Sequence, residues 1–226
     1  MAVWEGGVSA ALAGVGAENA SPVHTAVYPV SPAAGGYYRV GETSGTMAAA
    51  LGANSEIFQF RYVTAASRIA LIHRITISAG ANVAATAAAL VEFRTTIARA
   101  WTAAGTGGTR LTMTGDNANL RTTYATSEVN DIGIATTAAL AVGTKTLDTT
   151  DLGSVSIGIG TGAITTAANL NLVPDTDIFN ARIEGDHPIV LVNQEGFVIR
   201  SGANAWPATM TWSFSVQVAW GEVPNF

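Results

Sequence analysis

Alternation of apolar and polar positions is clearest near the C-terminal end of the chain. Met210, Trp212, Phe214, Val216, Val218 and Trp220 are apolar, and Thr211, Ser213, Ser215, Gln217 and Ala219 between them are small or polar. Side chains on a strand point alternately to opposite faces, so this spacing predicts one long strand with an apolar face and a water-tolerant face. On a helix the same six side chains would spread around the whole circumference. Burying each large side chain contributes on the order of 1.5–3 kcal/mol, so this core strand requires a second apolar layer against it.

The same alternation recurs upstream. Phe58, Phe60 and Tyr62 alternate with Gln59 and Arg61; Ile69, Leu71, His73, Ile75 and Ile77 alternate with Ala70, Ile72, Arg74 and Thr76. The turn-like Thr64–Ser67 between them predicts a hairpin. Residues 83–101 fit both periods, and Thr95 and Thr96 favour a strand. Short strands are expected at Leu120–Tyr124, Asp131–Thr136 and Val155–Ile159, with a turn at Pro174–Asp177. Ile189–Val192 and Phe197–Arg200 read as a second hairpin across Glu195-Gly196. Many short strands and no repeating helical segment predict an all-β fold, a sandwich or barrel, with a jelly-roll-like β-sandwich as the expected form.

Residues 1–50 have a different character. Ala and Gly dominate, Pro22, Pro29 and Pro32 interrupt any helix, and Val8–Val15 lacks an apolar stripe. The expected division is an extended assembly arm over 1–50 and a sandwich domain over 51–226. Fixing such a chain opposes folding by about 1–2 kcal/mol per residue, so an arm this long needs contacts with neighbouring molecules. Trp4, Tyr28, Tyr37 and Tyr38 are its candidate anchors, because aromatic side chains dominate interface energetics.

Composition sharpens this picture. Of 226 residues, 48% are hydrophobic but only 12% are charged, about half the usual share. The eleven basic residues are ten Arg and a single Lys, Lys145. Lys is depleted and Arg enriched at protein interfaces, so partners are expected to cover much of the surface; codon bias in a GC-rich genome is the alternative source of the same composition. A net charge of −5 argues against phosphate-driven nucleic-acid binding. No apolar run is long enough for a membrane helix. Glu5 and the lack of a basic residue before Arg39 argue against a secretory leader. Cysteine is absent, which removes disulfides and thiolate metal sites.

Candidate chemistry is sparse. His24, His73 and His187 have no metal-type spacing, and His73 on a strand face reads as a buried, hydrogen-bonded histidine. Asp186-His187 lacks a nucleophile elbow, and Pro188 after it marks a turn. Asp175 and Asp177 with Glu184 or Asp186 fall short of the six to eight oxygens of a calcium cage. Gly158, Gly160 and Gly162 lack the spacing and the helix of a phosphate loop. The expectation is a protein with no catalytic residue, metal or cofactor.

Three segments together carry a family resemblance: Ile57–Tyr62 leading into Ile69–Ile77; His187–Leu191 followed by Glu195–Arg200; and Phe214–Trp220 with Glu222, Val223 and Pro224. The combination resembles small virion structural proteins of tailed bacteriophages. The resemblance implies a non-enzymatic sandwich protein of the capsid cement or decoration type, a homotrimer on the head surface that clamps the major capsid protein, with neither nucleic acid nor membrane as partner. A tail or neck component is a second virion reading. A carbohydrate-binding module using Trp4, Trp101 or Trp206 is an alternative from another class.

Overall fold

The computed structural model describes residues 35–64, 68–83, 85–159, 171–185 and 187–224. Trp4, Tyr28, His24, Asp186, Gly160, Gly162 and the greater part of the expected arm lie outside the described residues. Among the described residues twelve strands follow one another: β1 (Gly36–Thr43), β2 (Glu56–Tyr62), β3 (Arg68–Ala81), β4 (Ala89–Ala103), β5 (Thr109–Leu111), β6 (Val129–Ile134), β7 (Thr144–Leu147), β8 (Gly153–Ile159), β9 (Asn171–Asn180), β10 (Ile189–Leu191), β11 (Glu195–Ser201) and β12 (Trp212–Pro224). The fold is all-β, and no helix occurs among the described residues. One five-stranded sheet runs β1-β12-β3, with β10 and β9 in succession along the outer edge of β3. The other, seven-stranded, runs β5-β6-β2-β11-β4, with β7 and β8 in succession along β4.

The predicted core strand is the centre of the first sheet. Trp212, Phe214, Val216, Val218 and Trp220 are buried on its inner face, and Met210 is buried just ahead of it. Against them lie Phe58 and Phe60 of β2, Phe93 of β4 and Phe197 of β11. The two sheets lock through edge-to-face contacts, Phe60 on Trp220 at 5.2 Å and Phe93 on Trp212 at 5.8 Å. Such pairs add about 0.5–1.5 kcal/mol beyond their buried area.

Several expectations are corrected. β2 and β3 do not form a hairpin, because β2 pairs with β6 and β11 while β3 crosses to the facing sheet. The expected hairpin of β10 and β11 is likewise divided between the sheets. Its turn falls at Asn193-Gln194, with Gln194 in the left-handed region at φ 64°. Pro174 lies inside β9 instead of in a turn. Among the described residues that strand pairs only with β3, and Pro174 and Asp175 bulge opposite the single residue Ser78; an edge strand tolerates the missing N–H. Leu120–Tyr124 is a turn whose Leu120 is exposed.

The boundary after residue 50 also moves. Gly36–Thr43 is an edge strand paired with β12, and Tyr38, Met47 and Leu51 are core residues. Tyr38 is therefore no assembly anchor: its ring stacks on Trp220 at 5.5 Å and its hydroxyl donates to the Ala125 carbonyl at 2.7 Å.

A bulge changes the faces of β3. Ala219 of β12 pairs with Arg74, but the next residue, Trp220, pairs with Ile72, so His73 is the extra residue. Ile75 and Ile77 point inward on one side of the bulge, and Ala70 and Ile72 on the other. Ile69 and Leu71 are displaced from the main core and form a separate buried cluster with Val223.

Candidate functional site

The outer face of the first sheet is built from small polar groups flanked by the row Arg39, Ala219 and Arg74. Register places Gly41, Gln217 and Thr76 in one row across β1, β12 and β3, and Thr43, Ser215 and Ser78 in the next. The Thr43 and Ser215 hydroxyls are 2.8 Å apart. A shallow groove of about 460 Å³ opens beside them, bounded on the β9 side by Val173, Pro174 and Asp175. No histidine is among the described residues that line the groove.

The outer face of the second sheet differs. A bulge in β2 opposite Ile199 and Arg200 brings Glu56 to the same side as Gln59. In β4, Ala100 takes a left-handed φ of 48°, and Trp101 packs with Ala98 and Val198 in a cluster apart from the inter-sheet core. Lys145 of β7 lies over this patch. Its Nζ sits 4.5 Å from the centre of the Trp101 ring, donates to Glu56 Oε2 at 2.8 Å and also reaches the Val142 carbonyl. Both side chains of that ion pair are only 2% exposed.

Gln59 completes the cluster. Its Nε2 donates to the same Glu56 Oε2 at 2.6 Å and to the Ala141 carbonyl at 2.8 Å. Its Oε1 accepts from Arg110 Nη1 at 3.1 Å, and that guanidinium is held by Asp131 at 3.0 Å. Gly105 closes over the amide: a Cβ there would lie 1.9 Å from the Ala141 carbonyl and 2.7 Å from Gln59 Oε1. Burial pushes the Lys145 ammonium below its ordinary value despite the opposing pull of Glu56, and Arg110 adds to the lowering.

A third polar site caps one end of the inter-sheet core. Glu222 is fully buried. Its carboxylate accepts from Ser127 Oγ at 2.6 Å, from Trp220 Nε1 at 3.1 Å and from the Glu128 backbone N–H at 3.0 Å. Burial still pushes its pKa above the usual carboxylate value, outweighing these donors. Burial and the Glu222 charge raise the neighbouring Tyr38 and Tyr62 phenols.

The residues singled out from the sequence do not converge on a site. Tyr37, half-buried, has its ring 5.3 Å from His73. The His73 Nε2 is buried with no hydrogen-bond partner among the described residues, contrary to the expected bonded histidine, and burial lowers its pKa. His187 is exposed. Asp177 is occupied by Arg74, Thr76 and Asn180 at 2.6–2.9 Å, while Asp175 and Glu184 are exposed. No group of three or more metal-binding side chains gathers among the described residues. Trp101 and Trp206 are buried, Trp206 with its ring 4.0 Å from Trp212, so neither offers a free face to a sugar.

The Lys145–Glu56–Gln59 cluster and Glu222 were missed in the sequence. The one signal pointing to the first was that Lys145 is the only lysine. The fold defines the chain as a two-sheet antiparallel sandwich with a buried polar cluster on one outer face. No known family model matches the chain, and no curated protein matches it in sequence.

Proposed function

We propose that this chain works by assembly and not by turnover: a structural virion protein of a tailed bacteriophage, of the capsid cement or decoration type, oligomeric and without metal or cofactor. The observation that carries this reading is the surface. The only lysine is buried, and six arginines, at positions 68, 74, 94, 99, 110 and 200, are ion-paired within the chain. Beyond the Arg39–Ala219–Arg74 row, in which Arg39 bonds to Gln217 and Arg74 to Asp177, the face outside the first sheet carries hydroxyls, an amide and glycine. Covering a charge removes its hydration at a cost of several kcal/mol unless a partner replaces it, whereas a face of this kind can be covered at little cost. Broad contact with a shell requires such a face. The resemblance of Ile57–Tyr62, His187–Arg200 and Phe214–Pro224 to phage virion proteins supports the specific assignment. The burial of Trp101 and Trp206 takes support from a carbohydrate-binding reading.

Two measurements test the proposal. The mass of the purified chain in solution is expected to be that of an oligomer, a trimer in the cement reading. Electron cryomicroscopy of the particle encoded beside its gene is expected to show this sandwich on the head surface. A chain that stays monomeric at high concentration and is absent from the particle overturns it. Density in the tail or neck instead refutes the cement role and leaves a virion protein.

A further inference from the structure

We propose that Lys145 and Gln59 are the two ends of an intramolecular amide cross-link, formed by the folded chain itself with release of ammonia and with Glu56 carrying the protons. Four features of the cluster meet the requirements of that reaction. The amine and the amide nitrogen share one acceptor, Glu56 Oε2, at 2.8 and 2.6 Å, so they are neighbours across a single oxygen. The Gln59 orientation is fixed by partners on both its atoms, which puts the carbonyl oxygen on the Arg110 guanidinium and the NH₂ on the carboxylate. The side chains of the ion pair are screened from water, and Gln59 is fully buried. Trp101 covers the amine from one side and Gly105 covers the amide from another.

The chemistry balances within these residues. The Lys145 ammonium gives a proton to Glu56, leaving a neutral amine and a carboxylic acid. A dry site favours this exchange, because it removes two charges. The amine lone pair attacks Gln59 Cδ as Nζ leaves the carboxylate; the C=O electron pair moves to Oε1, where Arg110 faces the developing negative charge. Glu56 delivers its proton to Nε2 and takes the second proton from Nζ. The Cδ–Nε2 bond then breaks, Nε2 departs as ammonia, and a Cδ–Nζ amide remains. No oxidant or co-reactant is consumed. Held neighbours react far faster than free ones, by effective concentrations of up to about 10⁵–10⁸ M in well-oriented cases.

Gln59 is the electrophile in preference to Glu56 because exchanging one amide for another is nearly balanced in energy and the ammonia escapes. Condensing a carboxylate with an amine in water is uphill. A buried ion pair is also a weak source of stability compared with apolar side chains of the same volume, so stability alone does not account for placing the only lysine here. The bond would tie β2 to β7 across the outer face of the second sheet. It does not depend on the assembly reading.

The single lysine makes the test direct. In the recombinant full chain, the intact mass is expected to fall short of the sequence mass by one ammonia. Trypsin should not cut after Lys145, and a peptide containing Gln59 should be joined to one containing Lys145. An amine reagent applied to the denatured chain should leave Lys145 unlabelled. Gln59→Leu and Lys145→Met should each remove the joined peptide, and Glu56→Gln should remove it while leaving the other two residues in place. If Glu56→Gln does not fold, Glu56→Asp is expected to join more slowly, and the wild-type result alone still decides the bond. A wild-type chain of full mass with Lys145 labelled and cleaved overturns the proposal. So does ammonia lost through a succinimide elsewhere, which leaves Lys145 free. Loss of one water with Lys145 joined to Glu56 overturns the choice of Gln59.

Discussion

Replacing Trp212 tests how the sandwich is held together. Its ring is fully buried, with centroids 4.0 Å from Trp206, 5.2 Å from Phe214 and 5.8 Å from Phe93 on the facing sheet. Trp212→Ala removes all of these contacts and leaves a cavity between two sheets that cannot close independently; the expected loss is about 3–5 kcal/mol. Ser215 lies on the other face of the same strand and meets Thr43 in an exposed hydroxyl pair, so Ser215→Ala should stay within about 0.5 kcal/mol. Trp212→Phe discriminates further. The indole Nε1 is buried with no acceptor among the described residues, and such a donor costs about 1–3 kcal/mol. Removing it offsets much of the lost ring, so the Phe variant should lose about 1 kcal/mol or less. Guanidinium unfolding followed by far-ultraviolet circular dichroism reads all three without relying on tryptophan emission, and the midpoint should move with an unchanged slope. Equal losses from Trp212→Ala and Ser215→Ala would mean that both faces of β12 are buried. A Phe variant as damaged as the Ala variant would mean that the indole N–H is bonded.

Three further outcomes are expected. Glu222 has a folded pKa above its unfolded value near 4.5, so acidification from neutral pH lets the native state take up its proton first. The stability deficit of wild type relative to Glu222→Gln should therefore shrink as pH falls toward about 4.5, and His73, whose lowered pKa acts with the opposite sign, cancels in that difference. For Asp177, burial acts upward but the bonds from Arg74, Asn180 and Thr76 outweigh it, holding its pKa below 3.8; its contribution, absent in Asp177→Asn, should persist above that value and vanish as pH falls through the folded pKa. A pH-independent difference between wild type and Glu222→Gln would refute the first assignment. Deletion of residues 1–34 should leave a cooperative melt, whereas deletion of 1–50 removes β1, Tyr38 and Met47 from the core and should abolish it; equal melts would show that β1 is dispensable.

What could be read from the chain followed the reach of local patterning. Alternation over Met210–Trp220, Phe58–Tyr62 and Val155–Ile159 located strands, because a period of two is a property of the backbone itself. It was silent on which sheet a strand joins. Ile189–Leu191 and Phe197–Ile199 look like partners in sequence, yet the connection at Gln194 sends one to each layer. Nor did it reveal the bulges: an extra residue at His73 exchanges the inward and outward sets of β3, so Ile69 and Leu71 follow the pattern and still leave the main core. Gly36–Thr43 shows only weak alternation and reads as part of the arm, because an edge strand beside a long partner needs little apolar content of its own.

The buried cluster was the least legible. Glu56, Gln59, Arg110 and Lys145 come from four separated segments, and each alone reads as a surface residue of an amphipathic strand or a loop. By itself the sequence determined the all-β class, the core face of β12 and the scarcity of charge, since these depend on residue type and nearest spacing. Only the tertiary structure decided that the single lysine is buried against Glu56 and Trp101 and that Gln59 shares its acceptor. Such proximity arises from long-range pairing and from bulges that re-aim single side chains, and no local pattern encodes it.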